Sequence, residues 1–371
     1  MAVSEIRFIA SDRNQNLFFG TLRQRIDNYF KENNLSKHYN LQMIIKTVVL
    51  LSCYIIPFIS LLIFQPAFGY SLLIWLLMGF AKSGIGMSIM HDANHGAYSS
   101  SAKLNKWLGY TINLVGGSAF TWKIQHNILH HTYTNVLDMD DDIEDKLVMR
   151  FSPHTRVKWY HKFQCVYAFF FYGILTLYWT LFKDFVQFYK YTKKGVNKEC
   201  KSKNKVILMK IILSKIVYFT VFFVLPLLFL KMPIAKYILG YLLMQFIAGI
   251  VLTVIFQLAH TVENTSHPLP NKSGTIENNW AIHQMNTTVN FSRESKFISW
   301  FVGGLNFQVE HHLFPTICHV HYPKIASIVK ATAEEHGVPY LENKTFGSAL
   351  KSHIKTLQKF GKIPSLNDAI S

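Results

Sequence analysis

The chain has 371 residues, half of them apolar and 15% aromatic, and only 16% charged. That excludes a disordered polymer, which needs low hydrophobicity and high charge, and it departs from a soluble domain, where charged residues run near a quarter. Lys and Arg outnumber Asp and Glu by 38 to 21, a net charge of +17. With this apolar content, the surplus fits the positive cytoplasmic loops of a membrane protein better than nucleic-acid binding.

Residues 1–40 are mixed and polar, with no cleavable signal peptide, and form a cytoplasmic N-terminal segment. Residues 47–81 carry no charge and are broken by Gln65-Pro66 and Gly69. They predict helices at about 45–64 and 70–90 joined by an outer turn, with Lys82 snorkelling near the end of the second. The stretch 107–122 is short, contains Gly116-Gly117 and does not cross. Residues 164–182 are uncharged and long enough to span, and 183–205 form a lysine-rich solvated connector. A second hydrophobic pair lies at about 211–230 and 236–259. Two helices with spaced apolar and basic residues follow at about 322–337 and 345–360.

Charge bias decides the topology. Eight Lys and Arg lie in 91–163 and eight lysines in 183–205, so both flanks of 164–182 belong in the cytoplasm. The aromatic segment between them is an interfacial helix rather than a span. The expected fold is an all-α integral membrane protein with four transmembrane helices in two hairpins. Its helical cytoplasmic domain carries a dimetal site, and both termini are cytoplasmic. Cys53, Cys165, Cys200 and Cys318 form no CxxC pair, so neither a disulfide framework nor a thiolate zinc site is expected.

Seventeen histidines are present, and eight fall into a pattern tied to that topology. His91 and His95 form HDANH beyond the second span. His126, His130 and His131 form HNILHH, His311 and His312 end QVEHH, and His260 closes the fourth span. On a helix, residues four apart share a face, so each cluster aims imidazoles at one point. Burying eight imidazoles without ligands leaves polar groups unsatisfied, so they are read as metal ligands, and eight ligands imply two ions. Imidazole alone does not choose among Fe, Zn, Cu and Ni. Singletons such as His154, His161, His267, His321 and His353 are read as ordinary polar residues, with His283 and His319 left open.

HDANHGAYS, HNILHHTYTN and GGLNFQVEHHLFP, in that order around two membrane hairpins, resemble the three histidine boxes of membrane fatty acid desaturases. Gln308, at the first position of the third box, resembles the front-end subgroup, which places a double bond on the carboxyl side of an existing one. The likeness runs from about 40 to 335. It implies a desaturase domain at 41–335, between cytoplasmic segments 1–40 and 336–371. It implies two iron ions held by His91, His95, His126, His130, His131, His311 and His312, with His260 of QLAH as the additional ligand. Gln308 is a weak ligand, a holder of water or a hydrogen-bond partner of a ligand. Asp92, Asp140, Asp142 and Glu310 are candidates to accept ring N–H bonds from the histidines.

Removing hydrogen from an unactivated methylene requires a redox metal that activates O2, and no side-chain acid or base does this. The implied partners are a long-chain acyl substrate on CoA, carrier protein or lipid, the membrane lipid itself, and no nucleic acid. Many front-end enzymes carry a fused cytochrome b5 domain with an HPGG motif. HPGG does not occur here, so electrons are expected from a separate ferredoxin-like or cytochrome-type donor. The expected setting is a bacterial inner membrane, with the active site cytoplasmic. Two alternatives stand beside the front-end desaturase: a related di-iron hydroxylase or sphingolipid enzyme, and a non-enzymatic membrane metal-binding protein.

Overall fold

The computed structural model describes residues 6–10, 13–142, 144, 148–229 and 231–366. In chain order its main helices are α1 (Arg13–Glu32), α2 (Leu41–Phe64), α3 (Phe68–His95), α4 (Ala102–Gly109), α5 (residues 119–133) and α6 (Trp159–Lys193). They continue with α7 (Lys201–Phe229), α8 (Ile234–His260), α9 (Trp280–Thr287), α10 (Gln308–Leu313), α11 (Tyr322–Glu335) and α12 (Phe346–Phe360). Two-residue strands pair in parallel, β1 (Arg7–Phe8) with β2 (Thr275–Ile276) and β3 (Asn290–Phe291) with β4 (Glu342–Asn343). The fold is helical, as expected, with these two short ladders added.

Five helices, α2, α3, α6, α7 and α8, are long and apolar enough to cross a membrane. In α2 the cap and the pattern both come directly from sequence. Asn40 Oδ1 accepts the amide of Met43 at 3.1 Å and satisfies one of the donors a helix start leaves open. Met43, Thr47, Leu50, Tyr54, Phe58 and Leu61 then form a buried stripe at helical spacing. The other face exposes Ile45, Val48, Ile56, Ile59, Ile63 and Phe64. A soluble protein does not leave such a patch in water, whereas lipid covers it without cost.

Three boundaries differ from the sequence expectation. The second helix does not stop near 90 but runs unbroken to His95, so the first box is its last five residues, about a turn and a half. The segment 164–182, expected to lie in the interface, is the middle of a 35-residue helix, α6. The lysine connector is largely helical, since α6 continues to Lys193 and α7 starts at Lys201. Lysine is a good helix former that keeps its ammonium in water, so a lysine run does not end a helix.

The chain divides into two compact units. One comprises Tyr39–Ile124 and Phe169–Val254 and holds most of the apolar helices. Its core gathers Trp75, Met78, Ile85, Tyr218, Phe222, Tyr237, Tyr241 and Met244. The helices approach closely where glycine permits: a Cβ on Gly240 would overlap the Trp75 ring, and one on Gly249 would meet the Gly173 carbonyl. Between them lies a buried polar layer. Lys82 Nζ donates to Gln245 Oε1 at 2.6 Å, Lys215 pairs with Asp184 at 2.6 Å, and Thr176 Oγ1 donates to the Gln245 carbonyl at 2.6 Å.

The other unit comprises Met1–His38, Gln125–Ala168 and Ile255–Ser371. Its core packs Phe18, Leu22, Ile26 and Phe30 of α1 with Ile325, Ala326, Val329 and Ala333 of α11, and with Phe307, Val309 and Leu313 around the third box. The second and third boxes and His260 all belong to this unit.

Candidate metal centre

Local backbone register brings the second box to a point. Residues Lys123–His130 of α5 form a π-helix, with amides bonded five residues back instead of four. In that register His131 stands over His126 as well as His130 does, so the displacement of a fifth residue in an ordinary α-helix disappears. The His126 ring lies 5.1 Å from that of His130 and 4.8 Å from that of His131, and the Nε2 atoms of His126 and His131 are 3.3 Å apart. A second π turn, Ile85–Ile89, immediately precedes the first box in α3. There the His91 and His95 rings lie 4.7 Å apart, each about one ring's width from Trp122, at 5.6 and 5.5 Å.

His130, His260 and His312 form a buried triad whose donor atoms all lie within 4.8 Å of one another. Each is 0% exposed. Each also has its Nδ1 held from behind. His130 Nδ1–H donates to Asp140 at 2.9 Å, His260 Nδ1–H to the Thr287 carbonyl at 3.2 Å, and His312 Nδ1–H to Gln284 Oε1 at 2.8 Å. A proton on Nδ1 leaves the lone pair on Nε2, and none of these three Nε2 atoms has a hydrogen-bond partner. Three converging buried lone pairs without donors carry a desolvation cost that a shared metal ion removes. Nitrogen–metal bonds of about 2 Å nearly span that spacing, so the residues fit a metal ion. His131, His311 and His312 make a second such group, and His126, His130 and Asp142 a third.

The acids sort into two kinds. Asp140 faces His130, and Asp142 Oδ2 accepts from His126 Nδ1 at 2.9 Å while Gln125 donates to its other oxygen. The acidic run after the second box thus folds back under it, although Ile143 and Asp145–Leu147 lie outside the described residues. Burial works against a proton on His130, but the Asp140 carboxylate outweighs it and raises the pKa. His312, buried and facing His131, His130 and His260, is held well below the ordinary histidine range, which favours the neutral ring that metal binding would require.

One expectation needs correction and one pairing is long. Asp92 Oδ1 is 3.9 Å from His91 Nδ1, too long for a direct hydrogen bond to that ring. Consecutive residues on a helix do not face each other, so neighbours in sequence are poor partners there. Glu310, expected to orient a histidine, is clamped instead by Asn290 Nδ2 and the Tyr340 hydroxyl, both at 2.8 Å. Asn290 Oδ1 also accepts the Val309 amide at 2.9 Å, tying β3 to the third box. Gln308 is buried, and its Oε1 has no hydrogen-bond partner.

Gln284, Asn290 and Tyr322, whose hydroxyl is 3.2 Å from His311 Nδ1, support box residues without belonging to a box, as Thr287 supports His260. Trp280 Nε1 donates to the His131 carbonyl at 3.0 Å. Nothing in their spacing announces this. The singletons behave as ordinary polar residues: ring nitrogens of His154, His321 and His353 bond the carbonyls of His267, His38 and Thr261. His319 is buried. His283 packs on Phe8 at 5.0 Å, and burial lowers its pKa to about 4.

Comparison with known proteins adds an independent line. A family profile described as fatty acid desaturase matches residues 67–344. The chain is 35% identical to an sn-1 linoleoyl-lipid 6-desaturase of Arthrospira platensis over 92% of each chain. It is 36% identical to an sn-1 linoleoyl-lipid 6-desaturase of Synechocystis sp., covering 93% of this chain and 96% of the relative. An acyl-lipid (8-3)-desaturase of Physcomitrium patens is 35% identical over 93% of this chain and 72% of its own length.

Proposed function

The chain belongs to the fatty acid desaturase family and is a fatty acyl desaturase, an oxidoreductase; from that premise we propose that it inserts a cis double bond on the carboxyl side of an existing one in a lipid-linked acyl chain. The observation that carries this reading is likeness across 92% of both chains to a linoleoyl-lipid desaturase, with Gln308 heading the third box. The overall change removes two hydrogens from the chain. With two electrons and two protons from outside, O2 then leaves as two waters.

The proposed ligands of two iron ions are His91, His95, His126, His130, His131, His260, His311 and His312. When bound, iron supplies the one-electron chemistry with O2 that an unactivated methylene requires. The chain's own residues prepare for it. Asp140, Asp142, Gln284 and the Thr287 carbonyl hold Nδ1 protons, which fixes ring orientation and keeps Nε2 lone pairs available. Glu310, locked by Asn290 and Tyr340, anchors the short third-box helix. Gln308 is proposed to hold a water or a weak bond at the same centre.

The proposed topology is four spans, α2, α3, α7 and α8, with α6 in the cytoplasmic interface and both termini cytoplasmic. Residues 41–335 form the desaturase domain, between the segments 1–40 and 336–371. Helix rise supports the placing of α6. At about 1.5 Å per residue, Lys82, Lys215 and Gln245 stand roughly 17–21 Å from the outer ends of their helices. Along α6, Gly173 meets Gly249, Thr176 bonds Gln245 and Asp184 pairs with Lys215. Over the eleven-residue advance from Gly173 to Asp184, α6 therefore stays near one height, where a crossing helix would climb about 16 Å. The cyanobacterial relatives fit a bacterial inner membrane.

The test is the fatty-acid profile of cells expressing the chain and fed linoleic acid, with H312A beside it. A new bond on the carboxyl side, lost in H312A, is expected. A bond on the methyl side, or a hydroxylated product, overturns the front-end assignment.

A further inference from the structure

Helix α12 presents two contrasting faces. Lys351, Lys355 and Lys359 recur every fourth residue on its outer side, with Lys344 and Lys362 just beyond its ends, and all five are exposed. The inner side buries Ala349, Ser352, His353, Thr356, Leu357 and Phe360. That inner side rests on the turn after α8: His353 Nδ1–H donates to the Thr261 carbonyl at 2.7 Å, and Ser352 Oγ accepts the Glu263 amide at 2.8 Å. Thr261 directly follows His260. One helix therefore joins a row of ammonium groups to the residue beside a proposed ligand, within a single compact unit.

We propose that this lysine row is the docking surface for an acidic one-electron donor protein. The inference rests on the desaturase reading, which needs two electrons per double bond. Two donor molecules are each oxidised by one electron. With two protons and the two hydrogens of the acyl chain, those electrons complete the reduction of O2 to two waters. The His353–Thr261 hydrogen bond gives a short bonded route from the docking face to His260.

Three observations favour a protein over lipid. The acid that pairs with the row is Glu263, 3.4 Å from Lys355, and both are about half exposed. Such a pair is weak and readily exchanged for a partner's carboxylate. Among the described residues, α12 exposes no large apolar side chain, whereas a helix that lies in a membrane surface needs an apolar face to insert. By contrast α6 exposes Trp159, Phe163 and Val166, as an interfacial helix does.

The experiment titrates iron-loaded enzyme with an oxidised acidic [2Fe–2S] ferredoxin and, separately, with soluble cytochrome b5, at low and high salt. The enzyme is held in nanodiscs of phosphatidylcholine alone or with phosphatidylglycerol. Wild type should bind at least one donor tightly at low salt and weakly at high salt. K351E/K355E/K359E should weaken that binding about tenfold or more and flatten its salt dependence, while K324E/K330E on α11 should not. Three outcomes overturn the proposal: equal binding by the triple variant, no binding of either donor by wild type, or an effect confined to thermal stability in phosphatidylglycerol discs. A single turnover separates the two readings: enzyme reduced without O2 by two electron equivalents of dithionite, with none left over, is then mixed with O2 and substrate. A double bond formed by the triple variant leaves the desaturase intact, and its absence in wild type defeats the desaturase reading while the binding data still decide docking.

Discussion

Asp140 grips His130 through both carboxylate oxygens, at 2.9 and 3.0 Å from Nδ1, with both side chains fully buried. The same carboxylate accepts the amides of Asn135 and Asp142, so it is fixed before it fixes the ring. D140N should lower iron affinity roughly 10–100-fold, the usual effect of removing a partner behind a ligating histidine. Iron per chain after dialysis against graded chelator measures it, independently of product formation.

Gln284 gives the sharper test, because no box contains it. Q284L removes the acceptor behind His312 Nδ1 with little change in volume, and should likewise cost about tenfold or more in iron retention. If retention equals that of wild type, Gln284 is packing and the geometry around His312 has another cause.

Alanine at His130, His260 or His312 should abolish new double bonds while the protein still accumulates in membranes. H154A, which removes only a bond to the His267 carbonyl, should keep the product. Fatty-acid profiles of the four strains side by side check this.

Stability should fall as pH drops below about 6.5. Burial lowers the folded pKa of His267, His283 and His353 to about 4 in each case. The unfolded chain takes up protons on them near 6.5 while the folded chain does not, so between 6.5 and 4 the unfolded state binds more protons and gains. The contribution is complete above 6.5 and spent by about 4. Each site is worth on the order of a few kcal/mol over that window. Melting temperatures between pH 7.5 and 4.5 should decline, and H353Q should shallow the slope.

Gly173 should not tolerate a larger side chain. Its Cβ would occupy the space of the Phe246 ring, and overpacking of this kind costs about 1–3 kcal/mol. G173L should lower the melting temperature in detergent, whereas G20A, with nothing within 4 Å of the added carbon, should not.

The histidine clusters were legible because their spacing repeats the helix period, and the apolar pairs because spanning a bilayer demands length. The π turns at Ile85–Ile89 and Lys123–His130 were not: a hydrogen-bond register of five instead of four leaves no mark in composition. Nor was Gln284, which reaches His312 through long-range folding. The pairing of Asp140 and Asp142 with His130 and His126 was within reach, because a short loop returns them to the helix they follow. Glu310 misled for the opposite reason, since adjacency in sequence set it beside His311 and His312 while helix geometry turned it toward Tyr340.

α8 runs without a break for 27 residues and ends on His260. At about 1.5 Å per residue that is roughly 40 Å, against a hydrocarbon core of about 30 Å. A helix longer than that core is accommodated by tilting, and in α8 the same unbroken run both exposes apolar side chains such as Ile238, Leu239 and Leu242 and ends on the histidine proposed as a ligand.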